Sequence, residues 1–193
     1  MAFDDDKQTT FFDVWGPFEI AHDGNWIKGA QGDLWSELED RCEGLSTAIG
    51  CYMFCLRTHK QIRPWYVGMT LAKAGFRGEV FQLHKLNSFN FVMNAHATAM
   101  ARPILFFFPL MTPTRRFSTA GSSGKPVIEW MERYLMMTAF ARNPAITNVR
   151  DMAMLRRVEV PGLLGKRPGR PHSDVQSVRQ ALFGSSRRPS DGG

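Results

Sequence analysis

The sequence predicts an α/β fold: a small layered domain with a central three-stranded antiparallel β-sheet flanked by helices. Three apolar stretches have the length of strands, at 50–57, 63–68 and 103–109. Around them, apolar residues recur at three- and four-residue steps, the spacing of amphipathic helices. The resulting order of helix, two strands, helix, strand and helix is typical of layered α/β domains.

The chain of 193 residues is long enough for one domain with a core and short extensions. We divide it into an acidic N-terminal extension (1–48), a central domain (49–160) and a tail rich in Pro, Gly and Arg (161–193). The charge follows this division. Residues 1–48 hold 11 acidic and 3 basic residues, a balance of −8, and the rest hold 7 and 21, a balance of +14, which together give +6.

The N-terminal extension is expected to hold a hairpin and one helix. The Asp23-Gly24 pair is a turn signal in an aromatic, glycine-rich stretch. Asp33 can cap a helix over 34–43, which Gly44 would end.

The opening strands of the central domain carry a glycine and a tyrosine each. Gly50 and Tyr52 lie on the first strand, and Tyr66 and Gly68 lie on the second. Glycine weakens a strand, so we expect both glycines to let the backbone approach a phosphate or a facing helix closely.

Two helices and a third strand complete the central domain. A helix is expected over 72–87, with an apolar face of Phe76, Val80, Leu83 and Leu86. The stretch PILFFFP at 103–109 is expected to be a fully buried central strand. The longest helix is expected over 126–141, with proline in its first turn. In the tail, one short helix would begin at Ser173.

The sequence predicts a cytoplasmic protein without membrane segments. No apolar run reaches the roughly 18 residues that a membrane helix needs, and the acidic N-terminus has no apolar core of a signal peptide. The three cysteines are an odd number, which favours reduced thiols. The basic body suits a polyanion, with nucleic acid, either DNA or RNA, as the first candidate partner. The alternative is a basic soluble domain without such a partner.

Glu132 is the unusual residue of the 126–141 helix. Its neighbours at i−4, i+3 and i+4 are apolar, so its carboxylate emerges from the apolar face. Glu129 has Arg133 at i+4 and is expected to form a surface ion pair. A carboxylate on a buried face is costly unless it binds a metal or another cation. Glu132 therefore either holds a metal ion or pairs with an arginine at the edge of the face.

Three further side chains are candidates for a functional site. Arg77 lies on the 72–87 helix, and a guanidinium is planar, always charged and able to bind phosphate with two hydrogen bonds. Tyr52 and Tyr66 lie on adjacent strands, and their hydroxyls converge if both point the same way. The alternative is a surface arginine and two core tyrosines.

In order and spacing these segments resemble the GIY-YIG nuclease family over about residues 49–150. GCYMF at 50–54 resembles the first family motif, with Cys51 where isoleucine is usual, and WYVGMT at 65–70 resembles the second. The residues that match functional positions of the family are Tyr52, Tyr66, Arg77, Glu132 and Asn148.

The resemblance implies hydrolysis of DNA phosphodiester bonds with one divalent metal ion. Glu132 would hold Mg²⁺ or Mn²⁺ and Arg77 would clamp the phosphoryl oxygens. Tyr52 would activate or position the attacking water, with Tyr66 assisting. Many family members have a lysine directly after the second motif, where this chain has Met69. Lys73, His84 and Lys85 are candidates to replace that lysine, and all three are also candidates to contact the nucleic acid.

The tail motif KRPGRP at 166–171 resembles the basic arms that enter the minor groove of DNA. Arg167 and Arg170 would insert into a narrow A·T groove. The alternative is a linker stiffened by proline. For the whole protein, two other functions stay open: a nucleic-acid-binding module that keeps the fold without cutting, and an interaction domain whose acidic first 48 residues dock a partner protein.

Overall fold

The computed structural model describes residues 10–97, 101–122 and 124–147, together with residues 174, 175, 177, 178 and 181. The chain divides into two compact units, Met1–Asn148 and Val149–Gly193. In the second unit, the five described residues are helical. All strands and helices named below belong to the first unit.

The main sheet is antiparallel and has five strands. They are β1 (Phe11–Phe12), β2 (Trp15–Glu19), β5 (Gly50–Arg57), β6 (Ile62–Thr70) and β7 (Arg102–Met111). Their order is β1-β7-β5-β6, and β2 also pairs with β7. A separate hairpin consists of β3 (His22–Asp23) and β4 (Trp26–Ile27), joined by a turn at Gly24 and Asn25, one residue later than the expected Asp23-Gly24 pair.

Four helices accompany these strands among the described residues of the first unit: α1 (Gly32–Arg41), α2 (Gly75–Glu79), α3 (Leu83–Ala95) and α4 (Lys125–Arg142). The predicted mixed α/β class is confirmed. The sheet is wider than the three strands expected, because β1 and β2 pair with the edge of β7 that faces away from β5. Among the described residues, no helix is long and apolar enough to cross a membrane.

The N-terminal elements share a core with the central strands. Phe18 of β2 is fully buried, and its ring lies edge-on to Phe107 of β7, with the centroids 5.7 Å apart. Trp35 and Leu38 of α1 belong to the same cluster. Residues 11–45 therefore complete the core of the first unit, although their charge differs from that of the rest.

The two faces of the sheet bury different sets of side chains. Tyr52 and Phe54 of β5 join the cluster formed with α1, α2 and α3. Cys51 and Met53 belong to a second cluster with Ile128 of α4. This alternation follows from the two-residue period of a strand.

The single helix expected over 72–87 is wrong, because the chain forms two helices there. Gln82 has an extended backbone, with φ −58° and ψ 146°, and this separates α2 from α3. Because of this break, the side chains of α3 face other directions than they would on one continuous helix. Leu83, expected in the core, is 73% exposed, whereas Lys85 is 4% exposed.

The expected cap of α1 is also wrong. Gln31, not Asp33, is the N-cap residue, and no side chain makes a capping hydrogen bond. The Gln31 side chain instead joins the hairpin to α1, since its amide donates to the carbonyls of Ala21 and Lys28 and its oxygen accepts from the N–H of Ala21.

Candidate functional site

The structure brings Tyr52 and Tyr66 together on one face of the sheet. Tyr52 pairs with Gly68 in the β5–β6 register and Phe54 pairs with Tyr66, so the two tyrosines are diagonal neighbours. Their rings are nearly parallel, at 18°, with centroids 6.2 Å apart. Tyr52 is fully buried, and Tyr66 is half-buried.

Gly50 and Gly68 were expected to let the backbone approach a phosphate or a facing helix, but the structure shows close packing within the sheet at both positions. A Cβ atom at Gly68 would lie 2.5 Å from both Cζ and the hydroxyl oxygen of Tyr52. At Gly50 the backbone has φ +154°, and a Cβ would overlap the carbonyl oxygen of Phe108 on β7. Both glycines are therefore required by packing within the sheet, and this packing explains them without a bound phosphate.

The Tyr52 hydroxyl is buried without a hydrogen-bond partner among the described residues. Burial raises the pKa of Tyr52 well above its ordinary value, and the nearby Tyr66, Glu79 and Glu132 raise it further. Burial also raises the pKa of Tyr66 and exceeds the lowering effect of the nearby Tyr52 hydroxyl, and the charges of Glu132 and Glu79 add to the increase. Both phenols are therefore neutral near pH 7.

A buried ion pair lies next to this tyrosine pair. The Lys85 ammonium pairs with the Glu79 carboxylate and also donates to the Glu79 carbonyl oxygen at 3.0 Å. Its nitrogen is 5.7 Å from the centre of the Tyr52 ring. Burial lowers the pKa of Lys85, against the raising effects of Glu79 and Glu132. Lys85, expected to contact nucleic acid, is thus enclosed in the protein beside Tyr52.

Glu132 lies on α4, the helix that packs with Cys51 and Met53 on the other face of the sheet, and its charge acts on the tyrosine pair from there. It is half-buried on α4, on the helix face that also carries the buried Ile128 and Met136. α4 packs mainly on β6, which is an edge strand of the sheet. The Glu132 charge contributes to the raised pKa values of Tyr52 and Tyr66 and, after burial, to that of Cys51.

Carboxylates are scarce in this part of the chain, which makes their placement informative. Residues 49–147 contain 12 basic and 3 acidic residues. Two of the three acids, Glu79 and Glu132, act on the tyrosine pair. The third, Glu129, pairs with Lys125 at 3.7 Å, so the expected partner Arg133 is wrong. Glu79 was not predicted as a site residue, and the scarcity of acids is the signal that could have found it.

The other predicted site residues that the structure describes are exposed and take no part in the contacts given above. Arg77 on α2 is exposed, and its charge acts on Glu39. Burial opposes ionisation of Glu39, but hydrogen bonds from Ser46 and Gly44 together with Arg77 keep its pKa below the ordinary value. Lys73 and His84 are exposed. The other three lie outside the described residues: Asn148, Arg167 and Arg170.

The donor atoms present suit a weakly held hard cation more than a metal enclosed by protein. Within the part of the chain that the structure describes, no group of three or more His, Cys, Asp or Glu side chains could hold a metal ion. Mg²⁺ usually keeps several waters and takes one or two carboxylates together with substrate phosphate oxygens. A half-buried carboxylate such as Glu132 fits that mode of binding.

No protein-family model, curated protein or solved structure matches the chain. Its function is therefore argued from the residues of the tyrosine cluster, which we define as Tyr52, Tyr66, Glu79, Lys85 and Glu132.

Proposed function

We propose that the protein is a metal-dependent endonuclease of the GIY-YIG type that hydrolyses phosphodiester bonds in DNA. One observation carries this proposal: two adjacent tyrosines, with ring centroids 6.2 Å apart, lie beside the Lys85–Glu79 ion pair, in a segment that has only three acids. The charge of Glu132 on α4 acts on both tyrosines. In this proposal β6, β5 and β7 form the three-stranded central sheet of the family, and β1 and β2 are additions to it.

The tyrosines act first as neutral hydrogen-bond donors. In hydrolysis, a water oxygen forms a bond to phosphorus, the bond from phosphorus to the leaving oxygen breaks, and the water's proton passes to a base. Tyr66 is the more accessible phenol, so it positions the water or a phosphoryl oxygen. A cation beside a phenol favours its ionisation. Lys85, whose nitrogen is 5.7 Å from the centre of the Tyr52 ring, would provide that cation, since this chain has Met69 where many family members have a lysine.

Other groups complete the proposed site. Glu132 would hold Mg²⁺ or Mn²⁺, and such an ion, when bound, stabilises the charge that builds on the phosphate and the leaving oxygen. The exposed Arg77, Lys73 and His84 would contact phosphates. The roles predicted for Asn148 and for Arg167 and Arg170 in the tail are part of this proposal, as is the cytoplasmic location.

A second candidate is a nucleic-acid-binding module that does not cut. It is favoured by the complete burial of Tyr52 and by the engagement of Lys85 with Glu79. In that case the tyrosine cluster is a group of polar side chains in the core without a catalytic role, and the basic surface alone binds the polyanion.

The experiment that separates the two candidates uses supercoiled plasmid incubated with the full chain in EDTA, in Mg²⁺ and in Mn²⁺. The nuclease proposal predicts nicked and linear plasmid only where a metal is present. Salt-sensitive binding without nicking in any condition would favour the second candidate. Neither binding nor nicking would reject both.

A further inference from the structure

The outer side of α4 carries an exposed aromatic stripe, which we define as Trp130, Arg133, Tyr134 and Met137. Trp130, Tyr134 and Met137 are spaced at i, i+4 and i+7, so they lie on one helix face. They are 61%, 53% and 62% exposed. The rings of Trp130 and Tyr134 are stacked, with centroids 5.6 Å apart and an angle of 8° between the planes.

The aromatic stripe does not pack into the core of the first unit. α4 buries its opposite side, with Ile128, Met136 and Ala139, against the sheet. Contiguous exposed apolar surface on a soluble protein usually marks an interaction site. Two stacked rings also form a flat surface to which another planar group can be added.

The charges near the stripe favour a negatively charged partner. Glu129, the acidic residue of α4 outside the tyrosine cluster, is paired with Lys125, and no carboxylate within the described part of the chain forms an ion pair with the exposed Arg133. In a symmetric dimer through this stripe, the exposed Arg133 of one copy would face the same side chain of the other. Like charge therefore disfavours self-association as the purpose of the stripe.

We infer that the stripe binds single-stranded nucleic acid by stacking an unpaired base on the Trp130–Tyr134 pair, with Arg133 on a neighbouring phosphate. Aromatic platforms beside basic side chains bind single strands in this way, and a base within a duplex does not offer its face. This inference rests on the proposed function, from which it takes nucleic acid as the class of ligand. It adds that the substrate contains unpaired bases, because α4 carries both Glu132 and the stripe.

The test measures binding in EDTA, where no cleavage is expected. Anisotropy of a fluorescein-labelled thymidine oligonucleotide of about 20 nucleotides and of a blunt duplex of the same length gives both affinities. Trp130→Ala is expected to weaken single-strand binding about tenfold and to leave duplex binding within about twofold. For single-strand binding, the logarithm of the affinity falls linearly with the logarithm of the salt concentration, and Arg133→Gln is expected to reduce the magnitude of that slope by about 1.

Phe91→Ala is the matched control, because Phe91 is also an exposed aromatic side chain, 68% exposed, on α3. It should bind both oligonucleotides like the wild type. Trp130→Leu, which keeps apolar bulk without a π-face, repeats the test if Trp130→Ala lowers the melting temperature.

Three results would overturn the inference: unchanged single-strand binding by Trp130→Ala, equal losses for Trp130→Ala and Phe91→Ala, or equal losses for single strand and duplex. Sedimentation that shows a dimer dissociating in Trp130→Ala, with single-strand binding unchanged, would assign the stripe to a second copy and also overturn it. If single-strand binding depends on Trp130 but no metal supports nicking, this inference is retained and the nuclease proposal is rejected.

Discussion

The side chain of Tyr52 lies directly over Gly68 on the neighbouring strand, at a place where a methyl group on residue 68 would be 2.5 Å from its ring and its hydroxyl. The two residues face each other in the β5–β6 register. The glycine of one motif is thus explained by the tyrosine of the other. The pair also sets the position of the buried phenol beside Lys85.

Gly68→Ala should destabilise the protein because the added methyl group overlaps Tyr52. Overpacking of this kind costs about 1–3 kcal/mol in the free energy of unfolding. Urea denaturation measures it. In a Tyr52→Ala background the same substitution should cost much less, because the overlapping ring is gone. Equal costs in the two backgrounds would show that Tyr52 is not the obstacle.

Tyr52→Phe should leave the free energy of unfolding unchanged or raise it by up to about 1 kcal/mol. The hydroxyl that it removes is buried without a hydrogen-bond partner among the described residues, and such a group is costly to bury. If the cluster is catalytic, the same variant loses nicking activity while it gains or keeps stability. A loss of stability above about 1 kcal/mol would indicate that the hydroxyl has a partner in the folded protein.

The alkaline stability of the protein should depend on Tyr52. Its pKa is raised in the folded state, so its contribution to stability is complete below the ordinary tyrosine pKa of about 10 and is lost as the pH rises above it. We therefore expect the stability of the wild type to fall relative to Tyr52→Phe between about pH 10 and pH 11.5. Denaturation of both proteins across that range measures the difference, and parallel curves would contradict it.

Lys85→Met should destabilise the protein by about 2–4 kcal/mol, because it leaves the Glu79 carboxylate without its buried partner. The double variant Glu79→Gln, Lys85→Met should recover part of this loss, since the unpaired charge is then removed. Thermal or urea unfolding of both variants provides the comparison. A double variant that is no more stable than Lys85→Met would mean that the ion pair is not the source of the effect.

The fold class was predictable because its signals are local. Strand-length apolar runs located β5, β6 and β7, and helical spacing located α1 and α4. The widening of the sheet was not predictable, because β1 and β2 have only two and five residues and are defined by pairing with a distant strand.

The site was predictable only in part, because burial depends on tertiary packing. Periodicity put Leu83 in the core and left Lys85 on the surface, and a single extended residue at Gln82 reversed them. The association of Glu79 with the tyrosines depends on that same reversal, since Lys85 carries the contact. Sequence spacing does suffice to put Glu132 beside the apolar face of α4, where it is half-buried, because the apolar residues around it are on its own helix.

The most direct test of the proposed nuclease compares two glutamates of α4 by the rate of plasmid nicking in Mn²⁺. Glu132→Gln removes the carboxylate that acts on both tyrosines, and Glu129→Gln removes a surface partner of Lys125. We expect nicking to fall at least about a hundredfold in Glu132→Gln and to stay within about twofold of the wild type in Glu129→Gln. Equal nicking by the two variants would contradict the assignment of Glu132 and, with it, the proposed site.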